Sequence, residues 1–278
     1  MTQSLSEQCA AWESRVAHQI GHPRRLGVCY SGGVDSTVLL AVALRHLGHD
    51  NVVALLAVSD SLPAEERQAA HRTASSLGAT VVEVPTRELD DPAYRANGPD
   101  RCYHCKSALF AQIVDDIAEP WGLDAVAYGE NADDALRLDR PGARAATDHH
   151  ILRPLAEAGL TKEMVRSLAR DLHLDVSEKP ASPCLASRIP HFTAISAENL
   201  RQVDLAEQAV RAAGFRDARV RHHGDVARIE IPLEDFPRAL SVRDDLLAGV
   251  GAAGFAYVTL DLAGMQSGRF TMSVAAHD

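Results

Sequence analysis

The segment Tyr30–Ser36, YSGGVDS, constrains this 278-residue chain more than any other. It follows Arg25–Tyr30, an apolar run that reads as a strand, and it leads into Ser36–Leu47, which has helical spacing. Adjacent glycines let the backbone curl so that successive N–H groups converge, and the start of the next helix adds its positive dipole end. A strand, a glycine turn and a helix in that order make an anion cradle. Ser31 and Ser36 offer hydroxyl donors, and Asp35 can orient Mg²⁺ or the loop itself. A plain glycine turn with Ser36 as helix cap uses the same residues. Neither GxxxxGKS/T nor GxGxxG is present, so neither a Walker loop nor a dinucleotide fingerprint applies.

Around this unit, strand and helix signals alternate. Leu5–Ile20 reads as an amphipathic helix, Val52–Val58 and Thr80–Val84 as strands, and Pro63–Leu77 as the helix between them. A helix over Tyr103–Ala118 and a short strand Ala125–Tyr128 ending at Gly129 follow, and Thr161–Leu172 is a helix capped by its threonine. The expected class is α/β, a parallel sheet with helices on both faces. Prolines break the segment Lys179–Pro190, KPASPCLASRIP, and a boundary is expected there, giving domains 1–190 and 191–278. The second is read as a small α+β unit. It has a helix Ala197–Ala213, strands Ala218–His222 and Ala227–Ile231 around Gly224, a helix near Phe236–Leu247 and a strand Ala256–Leu260.

A formal charge of −10 speaks against a wide electropositive nucleic-acid surface, while leaving room for a local pocket that takes a phosphorylated ligand. No run approaches about 18 apolar residues, and Met1–Ala10 is polar, so a cytoplasmic protein is expected, without membrane contact. Thiols stay reduced there, and the five cysteines then suggest chemistry or packing more than disulfides. Cys9 and Cys29 fall on apolar faces and read as core.

Cys102 and Cys105 are different, because RCYHCK places them two residues apart beside Lys106. The spacing is that of half a zinc site completed by His104 or another histidine, of a redox pair, or of two packed thiols.

SGGVDS resembles the pyrophosphate loop of the N-type ATP pyrophosphatases, the PP-loop enzymes that include GMP synthetase, NAD synthetase and tRNA thiolation enzymes. That resemblance implies cleavage of ATP between the α- and β-phosphates, with Ser31, Gly32, Gly33, Val34, Asp35 and Ser36 around the phosphates. It also implies that the second strand's backbone at Ala57–Ser59 meets adenine, and that Gly129–Asp134, GENADD, is a second nucleotide-side motif. As residues alone, GENADD reads equally as an Asn-capped helix with solvated aspartates. YGENADD, DRPGARAA, RPLAEAGLTKEMVR and KPASPCLASRIP, with SGGVDS and RCYHCK, together resemble the LarE family of ATP-dependent sulfur transferases of nickel-pincer cofactor biosynthesis. The resemblance runs from about Leu26 through Ile195 and more weakly to about Ile231. Val176–Glu178 and His191–Phe192 depart from it, standing where a tryptophan with aspartate and a tyrosine with glycine are usual.

The resemblance implies a mononucleotide substrate, pyridinium-3,5-biscarboxylic acid mononucleotide, whose carboxylate is adenylated and then given sulfur. Cys184 matches the family's sulfur-site cysteine. With Cys102 and Cys105 it makes a set of three thiolates able to hold a 4Fe-4S cluster with one open iron, fed by a sulfide donor. Sacrifice of the Cys184 sulfur alone is the alternative, and tRNA thiolation is a further one that the charge disfavours. The resemblance also implies that Arg219 and Arg221, which leave one face of one strand, bind the substrate phosphate. It carries Lys106 and Arg188 toward the ATP phosphates or the adenylate, gives Glu207 a divalent metal, and implies a homo-oligomer.

Overall fold

The computed structural model describes residues 4–136, 142–180 and 182–265. The chain forms two compact units, Met1–Ser59 with Ala64–Glu88 and Cys102–Ser182, and Asp60–Pro63 with Leu89–Arg101 and Pro183–Asp278. The second unit thus recruits two short stretches from early in the chain.

In the first unit, β1 (Leu26–Tyr30), β2 (Val52–Val58), β3 (Thr80–Pro85) and β4 (Ala125–Tyr128) form a parallel sheet in the order β3-β2-β1-β4. β1 is buried along its whole length, as apolar strands covered on both sides must be. Cys29, Val53, Leu55, Val84 and Val126 point to one face and pack on Phe110 of the helix Arg101–Gln112, on Ile113 just beyond it, and on Ala145 and Ala146. Tyr30 points to the other face, where its hydroxyl donates to the Ala70 carbonyl of the helix Ala64–Ser76 at 3.2 Å. Helices therefore cover both faces, in agreement with the expected class. The helix Val34–Leu47 is buried from Ser36 through Leu44 without interruption, because it packs on β1, β2 and the helices Leu5–Ile20 and Lys162–Asp171.

The strand order reverses between β1 and β4, and in open α/β sheets ligands bind beyond the carboxyl ends of the strands at such a switch. The glycine loop leaves β1 there, and Gly129 ends β4 there.

The second unit has its own core. β5 (Arg219–His223) and β6 (Val226–Glu230) form an antiparallel hairpin turned by Gly224 at φ 63, and β7 (Tyr257–Leu260) adds to β6 in parallel. Val220, Ala227 and Ile229 pack on Ala206 and Val210 of the helix Ala197–Ala212, with Phe215, Leu246 and Val250. The single helix expected near Phe236–Leu247 is two, Phe236–Ser241 and Arg243–Ala252. They part at the β-branched Val242, which leaves helical geometry at φ −110, ψ 23. Among the described residues, no helix is long and apolar enough to cross a membrane.

Candidate functional site

The glycine loop is held by its own hydroxyls. Ser36 Oγ accepts the Ser31 N–H at 3.2 Å and donates to the Gly33 carbonyl at 3.1 Å, which also accepts Thr37 Oγ1 at 2.8 Å. Gly33 is the N-cap of the next helix, so Val34 and Asp35 bring helix-start N–H groups to the loop. Gly32 sits at φ +69, and a Cβ there would lie 2.9 Å from Ala70 Cβ, which excludes other residues on both counts. Gly129 closes the neighbouring side, since its Cβ would meet the Ser36 backbone at 2.9 Å. Ala57 and Ser59 lie half-buried at the carboxyl end of β2, beside β1.

Asp35 divides its carboxylate between two tasks. Oδ2 takes Lys162 Nζ at 2.5 Å, whereas Oδ1 is buried without a hydrogen-bond partner among the described residues. An orphaned, acceptor-only oxygen at the mouth of an anion cradle suits a hard divalent cation such as Mg²⁺. Lys162 also anchors its backbone N–H on Asp133 Oδ2 at 2.8 Å, while Asn131 caps the short helix Ala132–Ala135. GENADD is thus both an Asn-capped helix and a support for the loop's lysine. Lys106 places its ammonium 3.9 Å from the centre of the Tyr128 ring and bonds the Tyr128 hydroxyl, next to Gly129.

Cys9 and Cys29 are buried, and burial pushes the Cys29 thiol up to about 12 against the pull of Lys106. Cys102 is exposed and Cys105 half-exposed, one turn apart on the helix Arg101–Gln112, and Cys184 is exposed. No cysteine is disulfide-bonded. Within neither unit do three or more His, Cys, Asp or Glu side chains of the described residues gather as metal ligands. Of the five thiols, those of Cys102, Cys105 and Cys184 reach solvent, while Cys9 and Cys29 are buried.

The segment around Cys184 is braced by arginines. Arg188, 3% exposed, gives Nη1 to the Pro183 carbonyl at 2.8 Å and Nε to Glu207 Oε1 at 2.8 Å. Glu207, fully buried, also accepts Arg211 at 2.9 Å and the Val220 N–H at 3.1 Å. Arg221 donates to the Ser187 carbonyl at 2.7 Å and to Glu230 at 3.0 Å, and Arg101 donates to the Ala186 carbonyl at 3.0 Å and to Asn97 at 2.7 Å. Arg188 and Glu207, read from the sequence as ligand residues, are thus engaged with each other, and Arg188 also with the Pro183 and Cys184 carbonyls. Arg219 lies half-buried beside Arg188 and Arg221; burial first, then those two charges, lowers its pKa.

Comparison with known proteins decides the family. The chain is 39% identical over 246 residues to the pyridinium-3,5-bisthiocarboxylic acid mononucleotide synthase of Lactiplantibacillus plantarum, covering 88% of each. The chain belongs to the LarE family. An uncharacterised protein of Synechocystis sp. is 41% identical over 90% of this chain and 92% of its own. Argininosuccinate synthase of Halobacterium salinarum, a PP-loop relative, is 31% identical over 54% of this chain and 40% of its own. No family model matches the chain. Lys162 and Lys179, inside the stretches that carry the LarE resemblance, and Glu66 were given no role from the sequence: Lys179 Nζ reaches the Gly32 carbonyl at 3.1 Å and Glu66 at 2.7 Å. Lone lysines carry no periodic signal, and only the fold brings residues so distant in sequence together.

Proposed function

We propose that the chain is an ATP- and Mg²⁺-dependent sulfur transferase that converts a carboxylate of pyridinium-3,5-biscarboxylic acid mononucleotide to a thiocarboxylate, in nickel-pincer cofactor biosynthesis. The observation that carries this reading is the 39% identity, over 88% of the chain, with a synthase named for the bisthiocarboxylic mononucleotide. The glycine loop at the sheet's switch point supports the ATP step.

In the first step, a carboxylate oxygen attacks the α-phosphorus, the bond to the β-phosphate breaks, and pyrophosphate leaves. Ser31, Gly32, Gly33, Val34 and Ser36 hold the phosphates with hydroxyls and N–H groups, and the Ala57–Ser59 backbone meets adenine. Asp35 is the residue that would hold Mg²⁺, which neutralises charge on the departing pyrophosphate when bound. In the second step, sulfur attacks the acyl carbon and AMP leaves with the electron pair of the broken C–O bond. Arg219 binds the substrate phosphate, and the crowding of positive charge on this half-buried side chain is relieved by a dianion; Arg221, committed to Glu230 and the Ser187 carbonyl, adds its charge from beside it. Lys106 faces the adenylate, and Cys184 is the sulfur-delivery residue.

Cys102, Cys105 and Cys184 would hold a 4Fe-4S cluster, which supplies an open iron for sulfide when bound. Iron and sulfide analysis after anaerobic purification tests this. About four irons per chain, lost in Cys102→Ala, are expected. Sulfur transfer without iron, with Cys184 converted to dehydroalanine, would replace the cluster by sacrifice of the cysteine sulfur.

A further inference from the structure

We propose that Lys179 is a positioning residue for ATP, locking the Gly32–Gly33 peptide so that its N–H, and not its carbonyl, faces the bound phosphates. This rests on the ATP reading above.

A peptide flanked by glycines can flip at little cost, and a flip here would turn a carbonyl oxygen toward an anion. In a trans peptide the C=O and the following N–H point in opposite directions, and no peptide among the described residues is cis. Lys179 Nζ takes the Gly32 carbonyl at 3.1 Å, so the Gly33 N–H is directed the other way, where Ser31 Oγ lies 3.4 Å from it. The lysine is itself held at both ends. Glu66 accepts its ammonium at 2.7 Å, with side chains about one-fifth exposed, and Arg166 Nη2 donates to its backbone carbonyl at 3.0 Å. Glu66 lies one helical turn before Ala70, the residue that a Cβ at Gly32 would strike. One helix therefore constrains the loop twice, by leaving no room for a Cβ at Gly32 and through the lysine. The Lys179 charge is balanced by Glu66, so its service is to the backbone rather than to the ligand directly.

The test is equilibrium binding of a non-hydrolysable ATP analogue with Mg²⁺ to the full chain, by calorimetry, beside the melting temperature without nucleotide. Lys179→Met should weaken binding about tenfold, as expected for loss of a charge-assisted hydrogen bond, with the melting temperature little changed. Lys179→Arg should restore most of it, and Glu66→Gln should weaken binding about threefold. Binding to Lys179→Met within twofold of wild type overturns the inference while leaving the ATP reading intact. If Lys179→Met does not fold, unchanged binding to Glu66→Gln overturns it. A wild-type chain that binds no analogue overturns both.

Discussion

The two loops to which the proposed function assigns its chemistry are held in opposite ways. The loop Ser31–Ser36 is tied by its hydroxyls and carbonyls, with its lysines at the edges. The segment Pro183–Arg188 is gripped through its carbonyls by Arg188, Arg221 and Arg101, which rest on the buried Glu207 and Glu230 and on Asn97. An anion cradle must keep N–H groups for its ligand, so its support comes through acceptors and small residues. A thiol-presenting segment must fix its backbone and expose one side chain, so cations bind its acceptors. The first economises on buried charge; the second depends on it.

The largest expected effect is at the exposed thiol. Cys184→Ser should lower sulfur transfer by about four orders of magnitude while pyrophosphate release with substrate continues, measured by parallel assays of thiocarboxylate and pyrophosphate. Equal loss of both would merge the two loops into one function. Next is the brace: Glu207→Ala leaves Arg188 and Arg211 without their shared carboxylate, and urea unfolding should show a loss of about 3–5 kcal/mol. In the glycine loop, Gly32→Ala should cost about 1–2 kcal/mol, because φ +69 disfavours a Cβ and Ala70 blocks it, with a weakened affinity for ATP. The smallest concerns His222, beside Arg221 on β5. Burial lowers its pKa below the ordinary 6.5. The unfolded chain then binds the proton first, so the stability is full above 6.5 and is lost as pH falls through the folded value. The melting temperature should fall by about 2 °C more between pH 7 and pH 5 in wild type than in His222→Gln.

The sequence made the sheet legible because each strand is a short apolar run and each turn is marked. β2 and β4 match the expected Val52–Val58 and Ala125–Tyr128. The helix after the glycine loop begins two residues earlier than read, at Val34, since Gly33 rather than Ser36 is the cap. Val242 broke a helix whose polarity pattern runs on through it. At the loops, residue types announced chemistry but not partners. Arg188 and Glu207 stood out singly, and their ion pair needed the fold. Lys179 opens the segment KPASPCLASRIP, yet nothing in the sequence pointed to its partners.

The most direct test is mass spectrometry of the nucleotide product after anaerobic incubation of the chain with ATP, Mg²⁺, pyridinium-3,5-biscarboxylic acid mononucleotide and isotopically labelled sulfide. The account predicts a thiocarboxylate with one oxygen replaced by labelled sulfur, together with stoichiometric AMP. Substrate recovered unaltered, without AMP, would contradict it.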